Sequence, residues 1–297
     1  MSVPVAYATI LLVWSTTPLG IAWSNETISP FAAIALRMNI AAVLGLVLLK
    51  CLRIELSWSR AAIRAYVISL LGIYGALLST YIAASYVPSG LISVMYALAP
   101  VMSNLFSVRL LGQGAFTPIR WVAFGVSFIG LSVICLDEWA IHGEGWKGLL
   151  LLMIAVTLYS LSGVLLQREN YRGHPLSMSV GAVLLSAPLF LLTWWGIDGV
   201  MPTFDLGSRS PWSILYLAIF GSLFGFMAYF YIVKEQGATA VAMVTLVTPI
   251  MALILGSVFN QEPITMQMVM GTAGVLAGLL VYYQSSRFIR MFEAIRR

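Results

Sequence analysis

Ten apolar stretches, each long enough to cross a bilayer as a helix, fill this chain almost end to end. At about 20 residues per crossing, ten spans need about 200 residues of a 297-residue chain. That leaves short connections and no room for a folded soluble domain. Charge agrees: 9% of residues are Asp, Glu, Lys or Arg, against about a quarter in soluble domains. The expected spans are 3–23, 30–49, 63–86, 88–111, 118–136, 148–166, 175–196, 212–233, 238–259 and 264–284. Cys51 and Cys135 lie near span ends and read as free thiols, and the 25 glycines have no period.

The first span carries Trp14 and Pro18 and lacks a basic leader and a small-residue cleavage site, so it reads as a retained helix. With the N-terminus cytoplasmic, thirteen of the 16 Lys and Arg fall inside, among them Lys50, Arg53, Arg64, Arg168, Arg172 and Lys234. Lys147 and Arg209 fall outside, Arg37 lies within a span, and Glu26, Glu144, Asp198, Asp205 and Glu262 lean outside. This bias sets both termini in the cytoplasm of a cell carrying the protein in its inner membrane. It also makes the net charge of +5 a topology signal, with no nucleic acid as partner and no protein partner evident. Residues 287–297 form a basic cytoplasmic tail whose helical spacing of bases suits anionic headgroups.

A shift of 149 residues aligns Gly72 with Gly221, Pro100 with Pro249, Met102 with Met251 and Gly125 with Gly274. A shift of 145 puts Pro30 on Pro175 and Trp14-Ser15 on Tyr159-Ser160. Five spans per half is an odd number, so the second half enters the membrane from the opposite side. The expected fold is therefore an all-α integral membrane protein: ten transmembrane helices in two inverted five-helix repeats, 1–137 and 147–286, around a central cavity. Such repeats can open one site to each side in turn, which favours transport. In the fourth span Ser89, Ser93, Tyr96, Pro100, Ser103 and Ser107 share one helix face; the shifted set is Ala238, Ala242, Thr245, Pro249, Ala252 and Gly256. Small residues of this kind serve close helix packing. The same faces also suit a path, with Pro100 and Pro249 as helix breaks or gates that free a carbonyl near mid-depth.

These residues together resemble the EamA family of the drug/metabolite transporter superfamily, across essentially the whole chain. The marks are Trp14-Ser15, Pro30 followed by Arg37, and the Pro100 helix ending in Leu110-Leu111-Gly112. The fullest match runs from Pro249 through Asn260-Gln261-Glu262-Pro263-Ile264-Thr265 to Gln267, Gly271 and Gly274. One departure is Gln113, where the family usually places the Glu that Glu262 supplies in the second half; that Glu is read as a helix-end feature. The resemblance implies a helical bundle around a cavity open to one side at a time, moving small metabolites without ATP hydrolysis. Members export amino acids or carry sugar phosphates and nucleotide sugars.

The single ionisable residue inside a span is Arg37, a functional candidate by its position. Its planar fork suits a carboxylate or phosphate; holding helix-end carbonyls or snorkelling to the interface are the alternatives. No Asp, Glu, Lys or His falls within a span interior, so the cargo expected is neutral or zwitterionic, such as an amino acid. Aromatic walls are assigned to Trp14, Tyr81, Tyr96 and Tyr159, with Thr17, Ser93 and Thr245 beside them, while Tyr229 and Tyr231 are weaker because one must point away. No catalytic, metal or cofactor site is expected. The rivals are a sugar-phosphate or nucleotide-sugar antiporter and an integral-membrane transferase, the latter resting only on the loop residues His142 and His174.

Overall fold

The computed structural model describes residues 2–112, 118–142, 144–241, 244 and 247–295, apart from the side chains of 135–142, 238–239, 283 and 285–295. Among the described residues there are helices and turns and no strand. In chain order they are α1 (Val3–Ser24), α2 (Pro30–Cys51), α3 (Arg60–Ala83), α4 (Ser89–Leu111), α5 (Pro118–His142), α6 (Gly145–Glu169), α7 (Pro175–Ile197), α8 (Ser210–Gln236), α9 (Thr248–Asn260) and α10 (Met266–Ile295). A short turn, Ala238–Val241, precedes α9. Seven of these helices, α1 to α4 and α6 to α8, are long and apolar enough to cross a membrane, and α5, α9 and α10 carry shorter apolar stretches. Leu12, Ile129 and Leu192 are each at least 66% exposed, as suits a belt facing lipid.

Helix starts follow from local chemistry. Ser29 and Ser59 accept from the amides of Ala32 and Ala62, both at 3.2 Å, and satisfy donors that the first turn leaves free. Pro30 and Pro175 occupy the first turn, where a missing N–H removes no helical bond. His174 takes the serine's place before α7, its Nδ1 accepting from Leu176 N at 3.2 Å.

Helix interruptions recur at one offset. The fourth span, in which Pro100 is the expected helix break, is interrupted at Ala97 and Leu98 and resumes as Ala99–Leu111. The Pro100 ring clashes with the carbonyl four residues back, that of Tyr96, so the helix stops there. In the same way α9 starts only at Thr248, 149 residues beyond Ala99, with Pro249 in its first turn. Each 13-residue piece ends in a left-handed cap, Gly112 (φ 63°) and Gln261 (φ 53°). A second pair of interruptions was not expected: α3 is π-helical over Leu71–Ala76 and α8 over Leu217–Phe224. The same offset carries the first onto 220–225, which overlaps the second over 220–224, and π-helix of this length is rare.

Small residues let the helices close. Along α5 and α10, a Cβ on Gly271 would lie 2.6 Å from Gly130 O, and one on Gly278 2.2 Å from Ser127 Oγ. That contact is the close approach that membrane helices achieve with glycine. Two apolar cores result, one about Met38, Tyr66, Val180 and Phe190, the other about Leu91, Met95, Ile134 and Leu152.

Candidate functional site

Where the broken helix α4 meets α1, α3, α6, α8 and α9 lies a cavity of about 110 Å³. Trp14, Thr17 and Pro18 line it from α1, Ser93 and Tyr96 from the turn of α4 just before its break, and Tyr159 from α6. Opposite them stand Gly72, Leu77 and Thr80 of α3, Phe226 of α8 and Thr248, the first residue of α9. The interruptions therefore surround this space: Gly72 lies in the π-segment of α3, and Phe226 just beyond that of α8.

The wall combines rings and hydroxyls. Tyr159 is the hub, its ring centroid 6.0 Å from that of Trp14, 5.6 Å from Tyr96 and 5.5 Å from Tyr229, all within the range of favourable edge and tilted contacts. The Tyr96 hydroxyl is 2.9 Å from Thr80 Oγ1, which also donates to Ala76 O. Thr17 donates back to Val13 O at 2.7 Å. Pro18 offers no N–H to the Trp14 carbonyl, which leaves an acceptor on this stretch of α1. No charged side chain stands among the lining residues, and among the described residues no cluster of His, Cys, Asp or Glu could hold a metal.

Of the sequence-derived candidates, Trp14, Thr17, Ser93, Tyr96 and Tyr159 come together on this wall. Arg37 and Tyr81 stand behind it. The guanidinium, 1% exposed, donates from Nε to Ser222 Oγ at 3.0 Å and from Nη1 to the Tyr81 hydroxyl at 3.3 Å, and lies over the Tyr81 ring. Arg37 thus joins α2 to α3 and to the π-segment of α8. Pro100 and Pro249 are buried at the helix breaks, Ser103 and Ser107 pack away from the cavity, and Thr245, like Gln113, lies outside the described residues. Sequence reasoning missed Phe226 and Thr248 and undervalued Tyr229; adjacency to Pro249 was the available signal for Thr248.

A side chamber of about 40 Å³ shares Trp14, Gly72, Tyr159 and Phe226 with the cavity, and Phe230 with a wider vestibule of about 510 Å³. That vestibule, lined by Arg168, Arg172, Lys234, Gln167 and Asn170, lies on the face where α6 and α8 end and α7 begins. The opposite face is tied together. Asn25 Nδ2 donates to Tyr81 O at 3.1 Å, Trp23 Nε1 to Asn260 Oδ1 at 3.1 Å, and Ser210 Oγ to Trp23 O at 2.8 Å. Glu262 accepts there from Gly90 N at 3.3 Å and from Asn260 Nδ2 at 2.9 Å. Its carboxylate thereby compensates the positive end of α4.

A helical bundle with apolar flanks, a buried cavity of rings and a few hydroxyls, and a vestibule on one face is the architecture of a multi-pass membrane transporter. The model of the EamA-like transporter family matches residues 4–136 and 146–284, and the chain belongs to that family. Among its relatives are an uncharacterized transporter of Archaeoglobus fulgidus, 25% identical over 93% of this chain and 97% of that one, and the uncharacterized transporter YoaV of Bacillus subtilis, 23% identical over 92% and 93%. The uncharacterized inner membrane transporter YedA of Escherichia coli K12 is 27% identical over 86% of this chain and 82% of its own. A crystal structure of a protein 19% identical, covering 97% of this chain and 99% of its own, superposes with a TM-score of 0.72, a likeness of fold.

Proposed function

We propose that the protein exports small neutral or zwitterionic metabolites, amino acids above all, across the inner membrane, with both termini cytoplasmic. The halves 1–137 and 147–286 act as inverted five-helix repeats that expose the central cavity to each side in turn. The observation that carries the cargo class is the wall of rings and hydroxyls with no charged side chain on it. A cargo with net charge would enter such a space without a counter-charge, whereas a zwitterion or neutral solute needs only donors, acceptors and an aromatic face. The two family matches and the recurrence of helix breaks at one offset support the repeat. The chamber leading from Tyr159 to the basic vestibule, against the tied opposite face, supports a state open toward the cytoplasm.

Trp14, Thr17, Ser93, Tyr96 and Tyr159 are the residues assigned to cargo contact, with Thr245, four residues before Pro249 in the sequence, retained among them. Arg37 and Tyr81 hold α2, α3 and α8 in register. One observation favours a second reading: Arg168, Arg172 and Lys234 around the vestibule suit an anionic cargo, as a sugar-phosphate antiporter would require. Counterflow into proteoliposomes separates the two. Labelled L-valine, L-threonine and L-phenylalanine are compared with labelled glucose 6-phosphate; exchange confined to the phosphate sinks the amino-acid reading.

A further inference from the structure

We propose that the amino end of α9 is the subsite for a carboxylate group of the cargo, held by the hydroxyls of Thr248 and Ser93. This rests on the reading of the chain as a carrier of zwitterionic metabolites, and adds which atoms meet the negative end.

Thr248 is the first residue of a 13-residue helix and lines the cavity. A helix start carries a partial positive charge and free donors, which side chains meet at α2, α3, α4 and α7 and leave open at α1, α6 and α8. Ser29 caps α2, His174 caps α7 and the Glu262 carboxylate meets Gly90 at the start of α4. At α9 the preceding residue is Val247, and no side chain caps the helix.

Two further observations point to a ligand. Thr248 is 4% exposed and Ser93 5% exposed, yet neither hydroxyl has a hydrogen-bond partner among the described residues. Both line the cavity, where the hydroxyls of Thr17, Thr80 and Tyr96 are held by the protein, so these two are the ones left open to a solute. The halves also differ here: 149 residues before Thr248 stands Ala99, a methyl group that can donate nothing. Arg37 cannot serve in this state, because its guanidinium is turned onto Tyr81 and Ser222. A carboxylate placed at α9 would receive two hydroxyl donors and the helix dipole, while its ammonium could rest against the Trp14 or Tyr96 ring.

The test uses the full chain in proteoliposomes with L-valine, L-threonine and L-phenylalanine, each compared with its C-terminal amide. Wild type is expected to exchange the acids with an apparent affinity about tenfold or more above that of the amides, the size of one charge-assisted hydrogen bond. Thr248→Ala is expected to lose about that factor for the acid and little for the amide, and Thr248→Ser to retain it. The acid-to-amide ratio is read within one preparation, so a partly misfolded variant lowers both arms and leaves the ratio meaningful. Equal affinity for acid and amide in wild type, or an unchanged ratio in Thr248→Ala, overturns the subsite alone. Absence of exchange with all three acids overturns the cargo reading and the subsite together.

Discussion

Single residues fix the two ends of the bundle, and two substitutions probe them. Gly256 of α9 faces Glu262; a Cβ there would lie 2.4 Å from its Oε2 and 3.0 Å from Ser89 Oγ. Gly256→Ala must push the carboxylate off the Gly90 amide, and a destabilisation of about 1–3 kcal/mol is expected, read as a lower Tm in detergent micelles. At the other face, His174 has its pKa lowered, first by burial and then by the positive charge of Lys234. Its Nδ1 must also stay unprotonated to accept from Leu176 N. A lowered folded pKa means that the unfolded chain binds the proton more readily, so stability rises with pH across the window. The contribution is complete above the ordinary histidine value near 6.5 and is lost as pH falls below it. His174→Asn keeps a capping side chain and removes the titration. Its Tm is expected to fall less than that of the wild type between pH 7 and pH 5; parallel curves would assign the acid sensitivity elsewhere.

At the scale of elements, the paired π-segments tie the helices to the cavity. Each absorbs an extra residue relative to an α-helix, so deleting Phe220, a half-exposed ring within Leu217–Phe224, lets α8 run as continuous α-helix with the faces beyond it unchanged. Inserting one alanine after Phe224 instead turns everything beyond by about 100°, carrying Phe226 and Tyr229 off the wall. The insertion variant is expected to be monodisperse and helical by circular dichroism yet inactive in counterflow; undiminished exchange would show that the register of α8 does not position the wall. Nothing in Leu217–Phe224 announced the π-segment, because apolar residues on every side leave no periodicity whose slip could be seen. The break at Pro100 was legible for the opposite reason: a proline, like Pro30 and Pro175 in the first turns of α2 and α7, removes a backbone N–H outright. Which side of an apolar helix faces the cavity was only partly legible. Trp14, Tyr96 and Tyr159 stood out as bulky amphipathic side chains at mid-span, but Tyr81 has the same chemistry and is turned onto Arg37. Thr248 was passed over because the ninth span read as one continuous helix with Thr245 on its polar face, whereas the start imposed by Pro249 brings Thr248 to the cavity.

On the scale of the whole molecule, orientation decides what the vestibule is for. Lys50, Arg53, Arg64, Arg168, Arg172 and Lys234 cluster at one set of helix ends and turns, and Glu26, Glu144, Asp198 and Asp205 at the other. In the proposed orientation, with Lys and Arg on the cytoplasmic side, the basic vestibule is an intake from the cell interior and the flux is outward; the reverse orientation would make it an exit. The bonds of Trp23, Asn25 and Glu262 would then close the cytoplasmic side instead. Labelling of single cysteines resolves this. With Cys51 and Cys135 replaced by serine, Arg172→Cys and Asp205→Cys place thiols at two exposed positions on opposite faces. A membrane-impermeant maleimide added to intact cells is expected to modify the thiol at position 205 and to reach position 172 only after permeabilisation. The reverse pattern would invert the transporter and turn the proposed exporter into an importer. Modification of both from outside would mean that the chain inserts in both orientations, so that the vestibule serves neither direction of flux alone.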